Sequence, residues 1–198
     1  MLVGFKRAWA IPHVNGKDLA PIAIEGKENK GATTEAEISG LSPDTVKVAG
    51  SDITYYISRK GVGDIKVALG LLDLPEMSAD ILLGYKGADK EDSITYIGND
   101  SEAPYSSLLL ESADNDGTAL FAFYKGTFSR EKVSLKSLDP NKTFEPEADD
   151  WTFSAMASDT EDETKGQYVG KYFGSNDEAI TKIKTQVGIT TTGTTAPK

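Results

Sequence analysis

The chain has 198 residues, no cysteine, and 31 Asp and Glu against 21 Lys and Arg, a formal charge of -10. That balance leaves no cationic surplus to displace counterions from nucleic-acid phosphates. The absence of cysteine excludes disulfides, thiolate nucleophiles and thiolate metal sites, and fits assembly in a reducing cytoplasm. With 38% apolar and 26% charged residues, the composition is that of a globular, single-domain protein able to bury roughly 70% of its unfolded surface.

In chain order, the opening MLVGFKRAWAIPHVNG lacks the unbroken apolar core of a signal peptide, so export by that route is not expected. It contains His13, the only histidine. One imidazole cannot form a metal pair or divide acid and base work with another, and a solvated loop is the expected setting. Strand-forming runs follow at LAPIAIEG (19–26), TEAEISGL (34–41), DTVKVAG (44–50), SDITYYISR (51–59) and DIKVALGLL (64–72). The next segment, LPEMSADILLG (74–84), predicts a short helix. Pro75 opens it, Glu76 sits in its positive first turn, Leu74, Met77 and Ile81 share one face, and Gly84 ends it.

After a further strand candidate at 92–98, the strongest local signal is APYSSLLLESADNDGTALFAFYKGTFS, residues 103–129. Asp114-Asn115-Asp116-Gly117 separates two strand-forming runs, which predicts a β-hairpin. At period two, Leu109 falls on one face and Leu108 and Leu110 on the other. In the second strand Phe121 and Phe123 oppose Leu120, Ala122 and Tyr124. Neither face is polar, so both need a cover from a sheet, a helix or another chain. Strands are also expected at 127–135 and 150–157. The end of the chain predicts a docking helix in SNDEAITKIKTQVG (175–188), with Ser175 or Asn176 as N-cap, Ile180, Ile183 and Val187 as its apolar stripe, and Gly188 as its stop. Beyond it, residues 189–198 are Thr-rich and expected to be a flexible tail. The fold class is mainly β, a sandwich or barrel with one short flanking helix and a C-terminal helix.

The chemistry-bearing residue types do not assemble into a motif. The Asp114–Thr118 stretch opens like a calcium loop, but Leu120 and Ala122 stand where oxygen donors are wanted, and a plain turn is favoured. Gly61-Val62-Gly63 lacks the third glycine of a phosphate cradle. The acidic runs at 145–151 and 159–164 could supply a glycosidase pair only within a cleft; solvated loops are the simpler reading. The sequons at Asn99 and Asn141 read as accidents of composition. Trp9, Trp151 and the tyrosines at 55, 56, 96, 105, 124, 168 and 172 suit sheet cores and interfaces better than a sugar platform. No run approaches the roughly 20 apolar residues of a membrane-spanning helix. The expectation is therefore no enzyme, no catalytic, cofactor-binding or metal-binding residue, and no cofactor.

Several segments, in order, carry a resemblance: GDIKVALGLLDLP running into a helix that ends Ile81-Leu82-Leu83-Gly84, then Ala103-Pro104-Tyr105, Glu111-Ser112, Tyr124-Lys125-Gly126-Thr127-Phe128-Ser129 and Thr152-Phe153-Ser154-Ala155. Across residues 63–157 the chain resembles the major tail proteins, or tail tube proteins, of phages with long non-contractile tails. The resemblance implies one tail-tube-type β domain over residues 1–188. It implies a structural subunit that self-assembles into hexameric rings, the rings stacking into a virion tail tube through which DNA passes at ejection without specific binding. Other partners implied are the tape measure, tail terminator and tail tip proteins, with no membrane, and synthesis in the bacterial host cytoplasm. On this view the two-faced hairpin is packed first within the chain and then against copies of it, and residues 42–63 reach the adjacent ring. The alternative is a non-enzymatic β-sandwich module binding carbohydrate or another cell-surface ligand.

Overall fold

The computed structural model describes residues 1–14, 17–58, 60–88, 94–115, 117–137, 140–141, 143 and 145–189. Arg59, Asp92, Ser93, Asp116, Lys142 and residues 190–198 of the expected tail lie outside the described residues. In chain order the elements are β1 (Leu2–Val14), β2 (Lys17–Asp18), β3 (Ile22–Ile24), β4 (Ala32–Ser39), β5 (Val46–Gly50), β6 (Ile53–Ser58), β7 (Lys66–Leu72), α1 (Glu76–Leu83), β8 (Tyr105–Asp114), β9 (Gly117–Ser129), β10 (Asp149–Met156), β11 (Val169–Gly174) and α2 (Asp177–Gln186). The protein is mainly β, consistent with the expected sandwich-like class.

The hairpin of β8 and β9 forms as its sequence predicts and becomes the centre of a large antiparallel sheet ordered β2-β1-β8-β9-β10-β7-β4, with β3 paired to β1. Strand β9 divides its second edge between two partners. Thr118 to Phe123 pair with β11, and Lys125 to Ser129 pair with β10. A register shift opposite Ser107 lies beside that fork. Beyond it the sheet curls, so that β4 comes to lie beside β1, but no ladder joins them and the barrel stays open.

Both apolar faces of the hairpin are covered inside the chain. Leu108, Leu110 and Phe123 enter the larger core with Val67, Leu69, Leu71, Trp151 and Phe153, closed by Ala79, Leu82 and Leu83 of α1. Phe128 meets Phe153 edge to face at 4.9 Å between centroids, and Phe123 meets Phe153 at 6.0 Å. Leu109, Leu120 and Ala122 enter a second core with Ile11 beneath Ile183 and Val187 of α2. Burying each large side chain stabilises the fold by about 1.5–3 kcal/mol. The hairpin therefore leaves no apolar face for a neighbouring copy, which corrects the expectation that this surface is shared between subunits.

Other departures have local causes. The N-terminal stretch, with no strand expected in it, is the 13-residue strand β1; two register shifts between Val3 and Arg7 break its period-two signal. His13 consequently sits on a strand and not in a loop. Strand β11 was hidden by its glycines. A Cβ at Gly170 would meet the Tyr124 hydroxyl, so a side chain there would have to displace Tyr124, and the glycine that avoids this weakens a strand reading. The candidate at 127–135 stops at Ser129, and of the candidate at 92–98 a single bridge, Tyr96 to Lys86, is present. In α1 the buried face is Ala79, Asp80, Leu82 and Leu83, while Met77 is exposed. The helix is oriented by Gly84, left-handed at φ 67° and set against the Glu102 carbonyl where a Cβ has no room.

Helix α2 keeps its expected signals: Asn176 Oδ1 accepts from the amides of Glu178 (2.9 Å) and Ala179 (3.3 Å). Its late lysine, Lys184, lies 5.4 Å from the Trp9 ring centroid and 3.9 Å from Glu111. Arg7 lies over the same indole at 4.7 Å and donates to both oxygens of buried Glu111, at 2.9 and 3.1 Å. Arg7 is also within 3.5 Å of Glu25, which accepts from Lys27 and Lys30 at 3.0 and 2.9 Å. The network ties β1, β8, the β3–β4 turn and α2 together.

The hydrogen bonds from Lys30 and then Lys27 hold the Glu25 carboxyl at about 2, against the opposing effect of burial. The unfolded chain, with an ordinary carboxylate pKa of about 4.3, takes up the proton first as pH falls. The stabilisation from Glu25 is therefore complete above that range and lost as pH falls to about 2. In denaturant titrations, Glu25→Gln should be less stable than the parent at pH 7, with the difference shrinking below pH 4.5 and gone near pH 2.

Candidate assembly surface

Three surface features remain once the cores are closed. The first is the β5–β6 hairpin, a two-stranded sheet that pairs with no other strand. Every described side chain from Asp44 to Ile57 is exposed. The register pairs Val48 with Tyr56 and Gly50 with Ile53, with a shift between Val48 and Ala49. Val46, Val48, Ile53 and Tyr56 therefore share one face, and each is more than half exposed. The opposite face carries Lys47, Ile57 and, at the bulge, Tyr55, which is 82% exposed. An isolated two-stranded ribbon is marginal in water, and a contiguous apolar stripe on one marks an interaction surface. The sequence announced the strand pair, but the four-residue stripe depends on the bulge and was not legible.

The second feature is the outer edge of β4, which pairs with β7 alone. It offers backbone donors and acceptors to another strand. The third is the solvent face of the strands β4, β7, β10 and the end of β9. Period-two alternation sends Val67, Leu69, Leu71, Trp151 and Phe153 inward and leaves small and polar residues outside. Across the ladders, Glu35, Gly70 and Asp150 form one row, Glu37, Ala68, Thr152 and Ser129 the next, and Ser39, Lys66, Ser154 and Thr127 the third. Lys66 is paired with Asp64 at 2.8 Å and Asp150 with Lys132 at 2.8 Å. Each pairing raises the pKa of its lysine, the hydrogen bond to the carboxylate being the main cause. Glu35 and Glu37 have no cationic partner among the described residues.

The residues weighed for chemistry are placed elsewhere. His13 Nδ1 lies 2.7 Å from Asp18 Oδ1, and its Nε2 lies 2.8 Å from Ser107 Oγ. This order of side chains is that of a Ser-His-Asp relay, but Ser107 is buried and its hydroxyl donates to the Tyr124 carbonyl at 2.6 Å. The cluster joins β1, β2, β8 and β9. Asp114 of the calcium-like turn binds the N-terminal ammonium at 2.6 Å. The acids from Asp159 to Glu163 form a solvated turn whose members pair with Lys125, Lys165 and Lys182. Trp9, Trp151, Tyr124 and Tyr172 pack in the cores or on them, whereas Tyr55, Tyr56 and Tyr96 are exposed. The described helices include none long and apolar enough to cross a membrane.

The described chemistry is thus one of packing and pairing. No curated protein and no solved structure matches the chain. A family model described as phage tail tube protein matches residues 16–194, every element described above except β1. The chain belongs to the phage tail tube protein family, and is a structural, self-assembling component of a virion tail.

Proposed function

We propose that six copies close into a ring, that rings stack into the tail tube, and that genomic DNA passes through the lumen at ejection without specific binding. The observation that carries this reading is the four-stranded face of β4, β7, β10 and the end of β9. It carries small and polar side chains over its middle rows, keeps its large aliphatic residues Leu72 and Met156 to its margins, and ends on an unpaired strand edge. Such a face lines a channel well, and such an edge joins a neighbouring subunit by strand addition. Glu35 and Glu37 would then face the DNA. Six copies carry a formal charge near -60, but screening limits each charge to about 8 Å at physiological salt, so only lining residues act on phosphates. Residues 1–188 serve as the ring-forming domain, and the β5–β6 hairpin reaches the adjacent ring. The tape measure, terminator and tip proteins are the heterologous partners, and the chain is made in the host cytoplasm before incorporation.

Purified chain seeded with tail-tip components should give six-fold rings and tubes in electron micrographs; a subunit that never polymerises under those conditions would sink the reading. Glu35→Lys with Glu37→Lys should slow DNA release at least about three-fold at low salt. The effect should shrink in 1 M salt, where the screening length is about 3 Å. Unchanged release at low salt removes the lumen assignment. Replacing Val48 and Tyr56 by Ser should leave the melting temperature of the free subunit within roughly 2 °C, since exposed side chains contribute within about 0.5 kcal/mol. The same variant should lose most of its tube formation by sedimentation.

A further inference from the structure

Resting on the ring-and-stack reading, we infer that the apolar hairpin of one copy seats in a specific groove at the opposite end of the next copy, between the β2–β3 connection and α1. The groove has a volume of about 370 Å³, with Leu19, Pro21, Ile22, Pro75, Met77 and Ile81 on its walls. It explains why Met77 and Ile81, the apolar residues that the sequence assigns to the core face of α1, point away from the core. Leu19 and Met77 are about two-fifths exposed, so the groove has no cover among the described residues.

The ladder of β4 and β7 fixes the relation of groove and hairpin. It runs from Ala32↔Leu72 to Ser39↔Lys66. The groove lies at the first end, where Asn29 and Lys30 precede β4 and Pro75 follows β7. The hairpin leaves the second end, its root closed by the Gly63 amide donating to Gly40 at 2.8 Å. The two features are thus separated by the length of β7, roughly 20 Å at about 3.3 Å per residue. A knob at one end and a socket at the other produce a heterologous, head-to-tail contact, which repeats along the strand direction and does not close on itself. Hairpin-to-hairpin pairing would instead give closed dimers.

Charge supports the same occupant. Among the described residues Lys30 is the only charged side chain lining the groove; its ammonium, about half exposed, also donates to Glu25 at 2.9 Å. The turn between β5 and β6 presents Asp52 as its only charge. Apolar stripe therefore meets apolar wall while the Asp52 carboxylate meets a rim where Arg7, Lys27 and Lys30 together surround Glu25, which favours one orientation over the reverse. The occupant is a second copy of this chain.

The absence of cysteine makes the test direct. Ile53→Cys places a thiol on the apolar face of the hairpin and Ser78→Cys places one in the groove, each in the full chain seeded with tail-tip components. On oxidation, mixed single variants should give disulfide-linked dimers, each single variant alone none, and the double variant a ladder of multimers. Met77→Glu should keep its melting temperature within roughly 2 °C and reduce cross-linking at least about ten-fold. Cross-linking of the Ile53→Cys variant to itself would overturn the proposal in favour of hairpin-to-hairpin contact. Cross-linking of the Ser78→Cys variant only to a tail-tip component would overturn it in favour of a heterologous occupant. Tubes without any cross-link would also sink it while leaving the ring-and-stack reading intact. Failure to form any tube would sink both.

Discussion

Strand β9 imposes the constraint from which the rest of the molecule follows. It is apolar on both faces over Leu120 to Phe123, and a strand of that kind is stable only between two covers. The chain supplies both, the curled β7–β10 region with α1 on one side and α2 on the other. The fork in β9 makes the arrangement possible. One strand cannot pair with β10 and β11 along the same stretch, so β11 takes the first half and β10 the second, and the sheet splits into a part capped by α2 and a part that curls.

Because the two cores are complete within one copy, folding and assembly draw on different residues. The core side chains are buried whether or not a neighbour is present. The exposed apolar residues of β5 and β6, by contrast, contribute almost nothing to a lone subunit, since a water-facing Tyr55 or Val48 has little to lose on unfolding. Such a separation suits a subunit that folds before it joins its copies. The open edge of β4 and the groove beside α1 belong to the same category. The first resists premature pairing through Glu35 and Glu37, charges on an edge strand being a common guard against it.

The acidic surplus is likewise unevenly used. Glu111 and Glu25 are neutralised by Arg7, Lys27, Lys30 and Lys184, and hold α2 and β1 in register with β8. The acids of the 159–163 turn are matched by lysines from three separate places. These exposed pairs contribute little individually, since water and salt screen them. What they leave is an outer sheet face on which the β4 carboxylates stand unmatched among the described residues. Net charge alone pointed only to the absence of nucleic-acid affinity; the proposed lumen assignment rests on its placement on one face.

Much of the fold was legible in the residues themselves. The β8–β9 turn, the alternation of Leu108, Leu109 and Leu110 between two faces, the caps of α2 and the glycine stop of α1 are local properties. They depend on side-chain period and backbone sterics over a few residues, and the tertiary structure had little freedom to alter them. The order of segments from Gly63 to Ala155 carried the family as well. What only the tertiary structure decided were relations between distant segments. These are the strand identity of residues 2–14, whose alternation two bulges erase, the cover that α2 gives to the hairpin, and the rotation of α1 that turns Met77 outward. The placement of the groove and the β5–β6 ribbon at opposite ends of one ladder belongs with them. Such relations are fixed by which ladder forms with which and where a bulge shifts the register, and a chain read one window at a time carries no record of either.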